Sequence, residues 1–133
     1  MTAGATDLRP TAFAALDEAY AAAVAACPAG LLELCGQRVR MLLGTPPGGA
    51  RDAKTEALAD YASSPLFSDL ERGALEFTEQ YVLDVAAMPD ELVGALSRQL
   101  GPAGLYAFVM GLYVVDQRER LRLSAAIHGG GRA

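Results

Sequence analysis

The sequence predicts an all-α protein, a single-domain bundle of about six helices, on three observations. Ala, Leu, Glu and Arg dominate the composition and are good helix formers, whereas β-branched residues are sparse. No stretch sustains the apolar–polar alternation of a half-buried strand. The apolar segments are separated by helix punctuation, namely Cys27-Pro28, Gly44, Ser68-Asp69-Leu70-Glu71, Met88-Pro89-Asp90 and Gly101-Pro102. A chain of 133 residues is one domain long and can bury a core without disulfides or metals.

Each element follows from its ends. A first helix is expected over about Pro10–Ala26, with Pro10 in the first turn, where its missing N–H costs nothing, and Cys27-Pro28 as the stop. Gly30 turns the chain into a second helix, about Leu31–Leu43, which Gly44 ends. The run TPPGG excludes regular structure until Asp52, an N-cap for a short helix reaching about Ala62. Ser68-Asp69-Leu70-Glu71 fits the capping box S-x-x-E, with Phe67 placed to staple onto Arg72 or a neighbour, and opens a helix to about Ala87. Met88-Pro89-Asp90 restarts the chain for a helix to about Leu100, and Gly101-Pro102 restarts it again for a long helix over about Ala103–Ile127. The first half of that last helix is apolar all round, which places it at the centre of a bundle or between subunits. Residues 128–133, HGGGRA, read as a flexible tail.

Charge and hydropathy exclude several functions. The formal charge is −5 and the pI about 4.7, so the overall field repels phosphate backbones and argues against nucleic-acid binding. Basic residues are scattered apart from Arg118, Arg120 and Arg122, which Glu119 interrupts. The longest apolar run, around Leu105 to Val115, falls well short of the roughly 20 residues a spanning helix needs, so no membrane partner is expected. The stretch MTAGATDLRP lacks a basic start followed by an apolar run, so no signal peptide is expected. Two cysteines, Cys27 and Cys35, are too few for a disulfide framework and fit packed thiols in a reducing cytoplasm.

Three residues stand out as site candidates. Glu33 lies on a narrow polar arc of the second helix with Gln37 and Arg40. It reads either as a surface glutamate favoured by the helix dipole or as a pocket carboxylate. Arg38 falls inside the apolar stripe of Leu31, Leu34, Cys35, Met41 and Leu42. A guanidinium there pairs with an acid from another helix, such as Asp116 or Glu119, or anchors a substrate carboxylate through its bidentate fork. Asp52 caps the helix it precedes; if it also faces Glu33, two carboxylates near one arginine make a proton-transfer site in which like charge raises one pKa. Tyr61, Phe67, Phe77, Tyr81, Tyr106, Phe108 and Tyr113 recur at helical spacings and belong to core or interface. The glycines of Gly44 to Gly49 lack the G-K-[ST] ending and the preceding strand of a phosphate loop.

The segments LLELCGQRVRMLLG, SPLFSDLERGALEFTEQYVLDVAAMPDELVGALSRQLGPAGLYAFVMGLY and RLRLSAAI together resemble the carboxymuconolactone decarboxylase and alkylhydroperoxidase D-like superfamily. The similarity covers roughly residues 31–127 and rests on Glu33, Leu34 and Arg38 and on the capping-box helix from Phe67 to Leu75. The resemblance implies an all-α fold that assembles as a homo-oligomer, a trimer, hexamer or dimer. The redox branch of that family carries a C-x-x-C pair after the glutamate and then a histidine. Here those positions fall on Thr45, Gly48 and Asp52, while Cys27 and Cys35 lie outside the loop and His128 sits in the tail. The motif is degenerate, and thiol peroxidase or disulfide reductase chemistry loses its machinery. What the resemblance leaves is a thiol-independent, decarboxylase-like protein that binds a small organic acid or lactone, with lyase-type acid–base chemistry. Glu33 would shuttle the proton with Asp52, Arg38 and Thr45 would bind substrate, and neither cofactor nor metal is expected. The alternative is a non-catalytic oligomeric interaction module that keeps the fold.

Overall fold

A computed structural model describes residues 9–45 and 52–130. Within them the chain forms five helices and no strand: α1 (Arg9–Ala26), α2 (Leu31–Leu42), α3 (Ala53–Ala57), α4 (Asp69–Asp84) and α5 (Asp90–Gly130). Short 3-10 turns, Leu58–Asp60 and Val85–Ala87, extend α3 and α4. The segments expected to run to about Ala62 and Ala87 therefore tighten before they stop.

The caps explain the boundaries. Gly30 enters α2 at φ 78°, a left-handed conformation that favours glycine. Asp52 accepts hydrogen bonds at Oδ1 from the Thr55 backbone N–H (2.8 Å) and from Thr55 Oγ1 (2.9 Å), which starts α3. Ser68 and Glu71 form the reciprocal capping box: Ser68 Oγ accepts from the Glu71 N–H at 3.1 Å, and Glu71 Oε1 accepts from the Ser68 N–H at 2.8 Å. The two helices expected on either side of Gly101-Pro102 are the two arms of α5. At Gly101 the backbone leaves the helical region (φ 77°, ψ 162°), and Pro102 follows. The second arm continues to Gly130, so the helical backbone takes in residues 128–130 of the expected tail.

The core forms where α2, α4 and α5 meet, with α1 laid along α5. Leu32, Cys35 and Val39 of α2, Leu75 of α4, and Leu96, Phe108 and Leu112 of α5 are fully buried, joined by Leu58 from the turn after α3. Burying each leucine side chain contributes roughly 1.5–3 kcal/mol. Phe77 and Phe108 meet edge to face, with ring centroids 5.8 Å apart. The tightest approach is at Gly111. A Cβ built there would stand 2.7 Å from Leu32 Cδ2 and 3.1 Å from the Ala23 methyl, so a missing side chain lets α1, α2 and α5 close on one another.

The apolar second arm of α5 is only half covered. Phe108, Leu112 and Val115 face the core, whereas Tyr106, Met110 and Tyr113 form an exposed stripe one helical turn apart. No helix among the described residues is long and apolar enough to cross a membrane.

Candidate functional site: two clefts flanking Glu33

Glu33 sits in the exposed first turn of α2, and its carboxylate makes no hydrogen bond or ion pair with another described residue. It lines two clefts at once. The first, of about 330 Å³, runs between the start of α2, the start of α3 and the first turn of α4. Glu33 and Gln37 form one wall; Asp52, Lys54, Thr55 and Glu71 form the other. The second, of about 270 Å³, lies on the other flank of α2, against α1 and the second arm of α5.

Glu33 and Asp52, 19 positions apart in sequence, thus line one cleft. Asp52 is already engaged as the cap of α3, and its hydrogen bonds from Thr55 hold its carboxyl below the usual carboxylate range. Lys54 Nζ donates to Glu71 Oε2 at 2.6 Å and lies 5.9 Å from the centre of the Phe67 ring. Partial burial pushes the Glu71 carboxyl up, but Lys54 and the Ser68 N–H outweigh it, and the net shift is downward.

Arg38 lines neither cleft. It pairs with an acid from another helix, as one reading of the sequence expects, but that acid is neither of the two named as examples, Asp116 and Glu119. Its guanidinium is bound by Glu79 of α4, which also accepts from the Tyr61 hydroxyl, and the guanidinium lies 5.8 Å from the Tyr61 ring centre. Burial raises the Glu79 pKa, yet the Tyr61 and Arg38 donors win and it falls below its ordinary value. The same burial and hydrogen bond push the Tyr61 phenol up. Asp116 instead accepts from Arg120 (2.9 Å), and Glu119 binds both Arg40 (3.1 Å) and Arg122 (3.0 Å). Thr45 is likewise a structural end-piece: its N–H and Oγ1 both donate to the Arg40 carbonyl, at 2.9 Å each, closing α2. Gly48, the other position matched to a family cysteine, lies outside the described residues.

The thiols are packed. Cys35 is fully buried, and desolvation pushes its pKa up to about 12 despite a hydrogen bond with Thr78. Cys27 is partly buried; burial first, then the Glu33 charge, raise its pKa too. Neither environment generates a thiolate at neutral pH.

The second cleft was not visible in the sequence, which showed Arg118, Arg120 and Arg122 only as a short basic run interrupted by Glu119. It is lined by Arg40, Arg118, Arg122, Glu33, Glu119 and Tyr20, with Gln37 at the edge shared with the first cleft. The four-residue spacing of Arg118 and Arg122, which puts both on one face of α5, was the available signal.

No family model, curated protein or solved structure matches the chain.

Proposed function

We propose that this chain is a thiol-independent, carboxymuconolactone decarboxylase-like protein with an alkylhydroperoxidase D-like bundle. On this reading it binds a small organic acid or lactone beside Glu33 and performs lyase-type proton transfer. The observation that carries the reading is that Glu33 and Asp52 line a single cleft large enough for a small metabolite. Loss of a carboxyl group as CO2 leaves an electron pair on carbon that a nearby acid must protonate. Glu33, with no partner among the described residues, is the group available to exchange that proton. Asp52, held ionised by its cap bonds, sets the local charge. The anchoring role expected of Arg38 passes to cations that line the clefts, since Arg38 is committed to Glu79. Packed, unpaired thiols fit the same reading and a reducing cytoplasm.

The test is a panel of lactones and lactone carboxylic acids, scored by thermal shift and by CO2 release, on the wild type, Glu33→Gln and Asp52→Asn. Glu33→Gln is expected to keep its fold and lose turnover by 10²-fold or more, the usual scale of a general acid. Turnover that Glu33→Gln leaves unchanged would end the assignment.

A second reading, a homo-oligomeric interaction module, is favoured by the stripe of Tyr106, Met110 and Tyr113, which are 68, 44 and 50% exposed. Light scattering behind size exclusion decides it. A trimer, hexamer or dimer that falls apart in the Tyr106→Glu, Tyr113→Glu variant supports that module, and a monomeric wild type rules it out.

A further inference from the structure

The second cleft has the composition of an anion site. Three guanidinium groups, Arg40, Arg118 and Arg122, line it against two carboxylates, Glu33 and Glu119, in a protein whose overall charge is −5. Glu119 is 7% exposed and is shared between Arg40 and Arg122, so one buried carboxylate serves two arginines. Arg118 is held differently. Its guanidinium lies 4.0 Å from the centre of the Tyr20 ring, a stacking distance that fixes the plane of the fork. Asp17 forms an ion pair with it at 3.6 Å from Nε, beyond hydrogen-bond distance. Arg118 Nε is buried and has no hydrogen-bond partner.

A buried, charged N–H without an acceptor costs free energy, and bound carboxylates and phosphates are what relieve such forks. The residues lining the cleft sum to one positive unit, with Asp17 outside the lining as the ion-pair partner of Arg118. That suits a monoanion; a phosphate dianion would meet two carboxylates with too little compensation. The volume, about 270 Å³, equals the share of about nine water molecules and fits a compact molecule. We propose that the cleft formed by Arg118, Arg122, Arg40 and Tyr20 is a binding site for a small carboxylate, held by the Arg118 fork with Arg122 at its side. This inference stands without the lyase reading, although Glu33 borders both clefts.

The experiment observes the arginine directly. Nε–Hε resonances of the full chain are recorded by ¹⁵N NMR while sodium acetate and sodium propionate are added, with sodium chloride at equal ionic strength as the reference. The expected result is a saturable shift of the Arg118 Nε–Hε signal with the carboxylates and none with chloride. Arg118→Gln and Arg122→Gln should each weaken the affinity at least tenfold, and Glu33→Gln should tighten it by removing a like charge. Arg122 is 40% exposed, so its variant keeps the fold even if loss of the Tyr20 stack in Arg118→Gln does not. A shift that does not saturate, one that chloride reproduces, or an affinity that Arg122→Gln leaves unchanged overturns the proposal. So does saturation by inorganic phosphate with no response to either carboxylate. Carboxylate binding without any CO2 release would remove the lyase reading and leave this one standing; release of CO2 with a silent Arg118 signal would do the opposite.

Discussion

Glu79→Ala is the most informative perturbation of the fold, because a single carboxylate satisfies two groups from two other segments. Arg38 and Glu79 side chains are 14% and 28% exposed, between a surface pair and a buried one. Exposed pairs contribute about 0–1 kcal/mol, whereas breaking a buried pair costs about 3–5 kcal/mol. Glu79→Ala strands the guanidinium, whose Nε is already buried without a partner, and leaves the Tyr61 hydroxyl without its acceptor. An intermediate cost of roughly 2–3 kcal/mol follows, a drop in Tm of about 6–15 °C at roughly 3–5 °C per kcal/mol for a chain of this size. The double variant Arg38→Met, Glu79→Leu removes both charges and should return to within about 1 kcal/mol of the wild type. Urea denaturation of the wild type, both single variants and the double variant gives the coupling energy directly. If both single variants cost under about 0.5 kcal/mol and simply add, the pair behaves as solvated surface charge and the reasoning from burial is wrong.

Four other outcomes follow from the same structure. Glu79 and Glu71 both have folded pKa values below their ordinary ones, so their contribution to stability is complete above the unfolded carboxylate pKa, about 4.3, and is lost as pH falls through the depressed folded values. Acid melts should therefore show a steeper loss below about pH 5 in the wild type than in Arg38→Met; parallel curves would refute the linkage. Gly111→Ala gains about 1 kcal/mol of helix propensity but meets Leu32 and Ala23, an overpacking of about 1–3 kcal/mol, so a net loss of up to about 2 kcal/mol is expected in denaturant melts, and a stabilised variant would contradict the close approach. Leu96→Ala, at a fully buried position, should cost about 2–5 kcal/mol in the same assay. With a thiol reagent at pH 8, the native protein should label slowly at Cys27 and not at Cys35, both reacting only once unfolded; fast native labelling of Cys35 would contradict its burial.

Local chemistry was legible in the sequence, and pairing across the fold was not. The capping box of Ser68 and Glu71, the Asp52 cap and the break at Gly101-Pro102 each depend on residues within four positions, so reading them needs no tertiary structure. The stripe assigned to α2 was rotated. Leu32 and Val39 are fully buried, whereas Leu34, Met41 and Leu42 are only partly covered, because α4 and α5 approach on one side and α1 on another. Arg38 was correctly seen to need an acid, but the acid lies 41 positions away on a helix whose orientation the sequence does not specify. Asp116 and Glu119 were equally plausible from their charge and are taken by arginines on α2 and on their own helix. The neighbourhood of Glu33 was half legible: the polar arc with Gln37 was visible, and Asp52 as a cleft neighbour was a conditional expectation. Glu71 was read only as the capping-box partner of Ser68 and Lys54 was not singled out, because their approach to Glu33 depends on how α2, α3 and α4 pack.

Which charges serve the fold and which are available to a ligand is decided by their partners. Arg38 and Arg118 each keep a buried Nε without a hydrogen-bond acceptor, but Arg38 is bound by Glu79 and lines neither cleft, whereas Arg118, ion-paired with Asp17 at 3.6 Å, lines the second. The two clefts that meet at Glu33 also differ in sign. The first sets Glu33, Asp52 and Glu71 against Lys54 alone, and the second sets three arginines against Glu33 and Glu119. A carboxylate approaching Glu33 is repelled from the first and attracted into the second. A neutral lactone ring has no such preference and meets the first cleft without electrostatic cost. A molecule carrying both groups would therefore be oriented across the Glu33 ridge by charge alone, carboxylate toward Arg118 and ring toward Asp52. Reversing that field at one point, with Arg122→Glu, should weaken carboxylates far more than uncharged lactones; equal weakening of both would show that shape, not charge, sets the orientation.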